Sequence, residues 1–310
     1  MTRSDAGRER GRRAVVFEYT QTGQLSEVVD ALVAPLVAAG WLIRRVAVRP
    51  ATPFPFPWPV LRFFGVFPAC VDRDATIALA DDEFHTAPDE LVIFAYQVWY
   101  LAPSLPARSL LAGHSELFTG REVLSVVACR NMWYTAAAEV QGRLADMGAR
   151  PLGTVAAIDT RAQAITFVTT LRWLLTGPRD GAVFGRAGVG ADELERIGVL
   201  GARLAEADDP AAVLRNSGAA PVVPVLAAAD LLAGRVFRKF GAVIRRAAGR
   251  GPLAWAGAMT GFVAALGVAI ATGLPALAVA RLLFGARFDR WVSARVAAAL
   301  DRPARPVVLA

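Results

Sequence analysis

Short apolar runs alternate with amphipathic stretches along the first 180 residues of the chain. Stretches with helical periodicity follow the runs, as at 25–36, 134–147 and 163–175. This alternation predicts an α/β fold with a doubly wound parallel sheet of five strands. The predicted strands are the apolar runs 14–19, 41–48, 91–96, 123–128 and 153–158.

The pattern of polar and apolar positions changes after about residue 180. Residues 1–13 are polar and charged, and we expect a disordered basic arm before the α/β domain of 14–180. Gly, Ala, Asp and Arg dominate 181–220, which predicts a linker with a possible polar helix. The remaining segment, 221–310, is expected to form a helical tail.

The tail contains 30 residues without a charge, from Gly251 to Ala280. A bilayer span needs about 20 apolar residues. The segment 252–280 is therefore expected to associate with a membrane, either as a tilted span or, because Gly273 and Pro275 interrupt it, as a span of 252–272 followed by a kink. A buried helical hairpin of a soluble protein is the alternative.

Charge is distributed unevenly along the chain. The net charge is +7, but 1–13, 235–250 and 281–310 together carry +13, so the rest carries −6. An acidic body argues against a nucleic-acid surface, whereas bases flanking an apolar segment favour a membrane. With two cysteines and no visible signal peptide, we expect the cytoplasmic face of the inner or plasma membrane.

The loop after the first strand has the composition of an anion cradle. Helix N-termini present free N–H groups and the positive end of the helix dipole. Thr20 and Thr22 add hydroxyls, and Gly23 allows close approach of the backbone. No Arg or Lys lies between Glu18 and Arg44, so side-chain cations are not expected to contribute. An ordinary capped turn is the alternative. The candidate phosphate-binding residues are Thr20, Gln21, Thr22, Gly23 and Gln24.

Two further loops follow the third and fourth predicted strands at the same edge of the sheet. Ligands of open parallel sheets bind outside the carboxyl ends of the strands. Aromatic loops beside a phosphate cradle suit a flat ring system that carries a phosphate. The candidate residues are Gln97, Trp99 and Tyr100 in one loop and Arg130, Asn131 and Trp133 in the other.

Residues 49–68 alternate prolines with aromatic residues. Six prolines make the start of this segment extended, and a long apolar loop is expected either to contact a ligand or to fold onto the body as a lid.

The loop Thr20–Gln24 resembles the FMN-phosphate loop of flavodoxin-like proteins, and the two aromatic loops match that family's isoalloxazine loops in position. The resemblance covers about 14–176 and implies FMN as the cofactor. The chain departs from the family pattern at Leu25, where a hydroxyl residue is common.

Four stretches together look like the dialkylresorcinol condensing enzyme-type flavodoxin-like proteins. This resemblance implies a role in dialkylresorcinol or aryl-polyene-type lipid biosynthesis beside a ketosynthase, with an aromatic or alkyl lipid-like substrate. The protein would act as a flavin-dependent oxidoreductase or as a cyclase/aromatase-type partner. A cofactor-free acyl- or partner-binding protein is the alternative. The four stretches are 19–25, 53–58, 96–106 and 129–133.

Cys129 is the candidate nucleophile of a third hypothesis, a covalent condensing enzyme. Arg130 beside it would lower a thiol pKa, but His85 and His114 do not stand at motif spacing to act as a base. A buried residue at a strand end is the alternative. We find no metal-ligand spacing and expect no metal.

Overall fold

The structure is a computed structural model that describes residues 12–80 and 83–300, with only the backbone of Asn216. Most of the predicted arm, residues 1–11, and the end of the tail, 301–310, lie outside the described residues.

A parallel sheet of five strands forms the centre of the molecule, in the order β2-β1-β3-β5-β6. A two-residue strand, β4, pairs antiparallel with the end of β3. The order is that of flavodoxin-like doubly wound folds, so the predicted fold class is confirmed. The strands are Arg13–Glu18 (β1), Leu42–Ala47 (β2), Glu90–Trp99 (β3), Ala102–Pro103 (β4), Glu122–Cys129 (β5) and Arg150–Ile158 (β6).

Helices cover both faces of this sheet because the central strands are apolar on both sides. One core packs β-strand side chains such as Val16 and Ile93 against the helices Gln24–Ala38, Ala191–Glu206 and Pro210–Asn216. The other packs Phe17 and Phe94 against the helices Leu105–Gly113, Tyr134–Asp146, Pro224–Ala248 and Ala286–Leu300. The helices up to the end of the α/β unit are Gln24–Ala38 (α1), Val60–Gly65 (α2), Phe67–Cys70 (α3), Leu105–Gly113 (α4), Tyr134–Asp146 (α5) and Gln163–Thr176 (α6).

The stretch predicted as a linker, 181–220, contains two helices, Ala191–Glu206 (α7) and Pro210–Asn216 (α8). Ile197 and Leu200 of α7 are buried in the core shared with α1. Helices α7 and α1 approach closely at Gly201, where a Cβ would lie 2.2 Å from the carbonyl oxygen of Leu32 in α1. This stretch is therefore packed against the helix that follows β1.

The tail is helical, as predicted, over its described residues. Pro224–Ala248 (α9) is followed by Pro252–Val268 (α10), a π-helical turn at Ala269–Gly273, Leu274–Phe284 (α11) and Ala286–Leu300 (α12). The helix from Pro252 to Phe284 runs without a break, has a mean hydropathy of 2.2 and is 6% buried over its most apolar part.

Candidate functional site

The three predicted loops meet at the carboxyl edge of the sheet. Strands β1, β3 and β5 are neighbours, so the segments that follow them lie side by side. The first and second loops are joined directly, since the backbone N–H of Gln21 donates to Gln97 Oε1 at 3.2 Å. This edge therefore places the three predicted loops side by side.

The first loop leaves the N-terminus of α1 available to a ligand. Gly23 is exposed, has a φ of 82° and precedes a helix that has no side-chain cap. Its own N–H donates to Thr20 Oγ1 at 3.1 Å, which shapes the turn. Gln24 is buried and accepts a hydrogen bond from Val189 N at 3.3 Å, so its side chain packs the loop from behind.

Two arginines from a distant segment pair with Glu27 in α1, contacts that the sequence did not predict. Arg179 Nη1 lies 2.5 Å and Arg186 Nη2 lies 3.6 Å from Glu27 Oε1, one turn into α1. The Arg179 guanidinium also stacks on Trp173, with its Cζ 4.9 Å from the ring centroid. The expectation that side-chain cations do not contribute to phosphate binding stays a prediction, since both arginines pair with the Glu27 carboxylate.

The second loop is a β-hairpin and not an open loop. Strand β3 continues through Gln97 to Trp99, and Tyr100 and Leu101 form the turn to β4. These two residues have φ values of 51° and 63°, a conformation that costs non-glycine residues about 1–3 kcal/mol each. The Tyr100 hydroxyl donates to Phe63 O at 2.6 Å, which helps to hold this turn.

The proline- and aromatic-rich segment covers the first two loops as a lid. Trp58 Nε1 donates to Gln21 Oε1 at 2.9 Å, and Gln21 Nε2 donates to Pro55 O at 2.9 Å. Trp99 packs edge-on against Phe54, Trp58 and Tyr19, with centroid distances of 4.9, 5.7 and 5.8 Å. The lid therefore places an apolar aromatic cluster beside the polar first loop.

Two arginine side chains, one of them buried, fix the far end of this lid. Arg108 is fully buried, pairs with Glu139 at 2.8 Å and donates to the Cys70 carbonyl at 2.6 Å. Arg245 of α9 donates to Pro68 O at 2.7 Å. The lid is thus held at two points, by Trp58 on the site side and by α3 on the tail side.

The third loop contributes buried polar atoms without a partner. Asn131 is 2% exposed, and its amide donates to Gln163 Oε1 at 2.5 Å, while its Oδ1 lacks a hydrogen bond within the described residues. Arg130 Nη1 is also buried and unpaired there. Because buried polar groups are normally satisfied, these two atoms fit a polar ligand at this strand end. Trp133 is fully buried and stacks on Tyr134, so it packs the core.

Cys129 is buried, with 9% of its surface exposed. Burial raises the pKa of its thiol, Asp230 raises it further, and the lowering effect of Arg130 does not compensate. The thiol is therefore protonated at neutral pH, which does not suit a nucleophile. Among the described residues, no group of three or more His, Cys, Asp and Glu side chains could hold a metal ion.

Asp230 from the tail occupies the N-terminus of α5, directly after the third loop. Its two carboxylate oxygens accept from Tyr134 N at 3.0 Å and Thr135 N at 2.9 Å, and the residue is 0% exposed. The sequence contained a signal for this role, since Asp230 is the one acidic residue between Pro221 and Arg250. The sequence did not indicate the partner of Asp230, which is the backbone of Tyr134, 96 residues away.

Comparisons with known proteins do not show a family for this chain. No family model matches the chain, and no curated protein matches it. One similar crystal structure is of a candidate flavoprotein from Bacteroides eggerthii DSM 20697, with 15% identity, a TM-score of 0.38, and 53% of this chain and 98% of that chain covered. Another is from Bacteroides uniformis ATCC 8492, with 12% identity, a TM-score of 0.36, and 53% and 97% covered. The strand order described above, and not these likenesses, establishes the flavodoxin-like fold.

Proposed function

We propose that this protein binds FMN at the carboxyl edge of β1, β3 and β5. The observation that carries the proposal is the N-terminus of α1, which has no side-chain cap and an exposed Gly23 at a φ of 82°. Phosphate is stabilised at such a position by free N–H groups and the helix dipole. Thr20 and Thr22 supply hydroxyls beside it.

The ring of the flavin would lie toward the second and third loops. Gln97 and the unpaired atoms Arg130 Nη1 and Asn131 Oδ1 offer hydrogen bonds to polar ring atoms. Trp99 and Trp58 provide apolar surface, and the lid excludes water. When bound, the flavin supplies hydride or electron transfer, while the protein sets its orientation and access.

The test is a titration of the purified apo-protein with FMN and with riboflavin, which lacks the phosphate. We expect riboflavin to bind far more weakly than FMN. Gly23→Val should reduce FMN affinity at least about a hundredfold, because a β-branched residue does not adopt a φ of 82° and its side chain would occupy the phosphate position.

Gly120→Val is the matched control for this titration. Gly120 has a φ of 69° and is exposed, and a Cβ added to it would meet no atom within 4 Å, as is true of Gly23, but it precedes β5 at the opposite edge of the sheet. Its variant should lose similar stability and keep FMN affinity. Equal affinity for FMN and riboflavin, or equal losses in the two variants, would place the ligand elsewhere.

The finer part of the proposal concerns the pathway. The resemblance to dialkylresorcinol condensing enzyme-type proteins supports a role in aromatic lipid biosynthesis, as the redox or cyclase/aromatase-type partner of a ketosynthase. Incubation of the flavin-loaded protein with the ketosynthase product should give a new aromatic product. A product that forms equally without this protein would contradict the role.

A second candidate function is supported by the aromatic cluster of the lid. Phe54 and Trp99 are partly exposed and pack on the buried Trp58, which gives an apolar patch that suits an alkyl chain without any cofactor. A cofactor-free acyl-binding protein should show quenching of tryptophan fluorescence by a long-chain alkylresorcinol in the absence of FMN. Trp99→Leu should abolish that quenching, whereas Trp291→Leu on α12 should not.

A further inference from the structure

The apolar helix from Pro252 to Phe284 is joined to the body in its first half and by the helix that follows it. Near its start, Phe262 stacks on Phe67 of the lid with a centroid distance of 3.8 Å. After its end, the chain turns back at Gly285, and Val292 and Val296 of α12 are buried in the same core as the sheet. Helix α9 packs against both α10 and α11. The apolar helix therefore runs beside α9 and leaves most of its own surface exposed.

This arrangement does not suit a membrane span. The helix has 33 residues and is about 50 Å long, against about 30 Å for the hydrocarbon core. Because α9 runs beside it, a span would carry α9 into the bilayer together with the exposed side chains of Arg235, Lys239 and Arg246. Charged side chains are costly at that depth.

The outer surface of this helix pair combines apolar and basic side chains. Leu253 and Leu282 are 88% and 84% exposed at opposite ends of the apolar helix. The outward face of α9 mixes exposed bases with exposed apolar residues at helical spacing, and residues 231–300 hold ten bases and one acid. That acid, Asp289, pairs with Arg281 at 2.9 Å. The exposed residues of the α9 face are Leu232, Arg235, Val236, Lys239, Val243 and Arg246.

We propose that the apolar helix and the outward face of α9 form a monotopic membrane-binding surface, which lies in the plane of an anionic bilayer. Apolar side chains enter the interface, and the bases contact anionic headgroups, as on the cytoplasmic leaflet. This surface includes part of the lid, because Phe64 of α2 and Trp255 of α10 pack on one cluster and Leu61 of α2 is 79% exposed. The proposal does not depend on flavin binding.

The first experiment measures binding of the full chain to preformed vesicles of phosphatidylcholine with or without phosphatidylglycerol. We expect binding to the anionic vesicles that weakens as salt is added. Lys239→Glu/Arg246→Glu should weaken it at least about tenfold, because each base near an anionic surface contributes. The matched control, Arg150→Glu/Arg203→Glu, makes the same change of charge away from this surface and should bind as the wild type does.

The second experiment distinguishes a helix in the plane from a span. Three variants, Leu253→Cys, Val268→Cys and Leu282→Cys, would each carry an NBD label at one exposed position. The native Cys70 and Cys129 are buried and should react little with the label. Dithionite added outside the vesicles should reduce all three labels at similar rates. Protection of the label at one end until detergent is added would show a span and overturn the proposal.

Two other results would also overturn it. Equal binding to neutral and anionic vesicles would remove the role of the bases. A stable dimer in the absence of lipid, which Leu282→Asp converts to a monomer, would assign this surface to a second copy of the chain.

Discussion

Two helices begin at the same edge of the sheet, α1 after β1 and α5 after β5, and their N-termini differ in what they bind. The N-terminus of α1 has no side-chain cap and exposes Gly23. The N-terminus of α5 is filled by Asp230, a fully buried carboxylate from the tail. The same physical feature, a cluster of free N–H groups, therefore serves the fold in α5 and, in the proposed function, a ligand in α1.

The difference explains how the tail is joined to the α/β body. When α9 docks, the Asp230 carboxylate supplies the anion at the N-terminus of α5. Thr135 Oγ1 adds a hydrogen bond to the backbone carbonyl of Asp230 at 3.2 Å. The close approach is possible because α9 has a glycine at Gly234, where a Cβ would lie 2.7 Å from the Thr135 side chain. A filled N-terminus fixes the tail, and an open one remains for an anionic group such as a phosphate.

The largest effect is expected from Asp230→Ala. The variant leaves two buried N–H groups without an acceptor, so the free energy of unfolding should fall by about 2–4 kcal/mol. Urea denaturation of the full chain measures this change.

Asp209→Ala is the matched control for that measurement. Asp209 also caps a helix, accepting from Ala212 N at 3.0 Å, but its side chain is 63% exposed. Water can replace this acceptor, so we expect a loss of only about 0.5–1 kcal/mol. Equal losses in the two variants would contradict the buried role of Asp230.

A smaller effect concerns pH. Burial raises the pKa of Asp230 from 3.8 to about 6, although hydrogen bonds from Thr135 and Tyr134 act to lower it. Between these values the folded protein holds a proton that the unfolded chain has released, so stability falls as the pH rises through this window. The free energy of unfolding relative to Asp230→Asn should fall by up to about 3 kcal/mol from pH 4 to pH 7. A constant difference between the two proteins over this range would contradict the raised pKa.

The smallest effect is expected at the open N-terminus. Thr20→Ala removes one neutral hydroxyl from the first loop, which should cost about 0.5–1.5 kcal/mol of FMN binding, a few-fold to tenfold in affinity. Thr119→Ala, at the opposite edge of the sheet, is the control and should leave the affinity unchanged. A loss as large as that of Gly23→Val would mean that the hydroxyl, and not the backbone, dominates binding.

The sequence predicted the strands and the first loop well because their signals are local. Leu25, Val28 and Leu32 repeat with the helical period, and all three are buried in α1. The second loop was less predictable. The apolar run 91–96 ends before Gln97, yet the strand continues to Trp99, because pairing with β4 and with the lid decides where it stops.

By itself, the sequence determined the order of strands and helices, the position of the hydroxyl and glycine loop, and the apolar segment 252–280. Each of these depends on residue types and periodicity within about 30 consecutive positions. Only the tertiary structure decided which helix N-terminus stays open, where Arg179 and Arg186 lie, and that the apolar helix returns to the body. Those outcomes depend on contacts between segments far apart in the chain, such as Asp230 with Tyr134, whose energies arise only when the packed core brings them together.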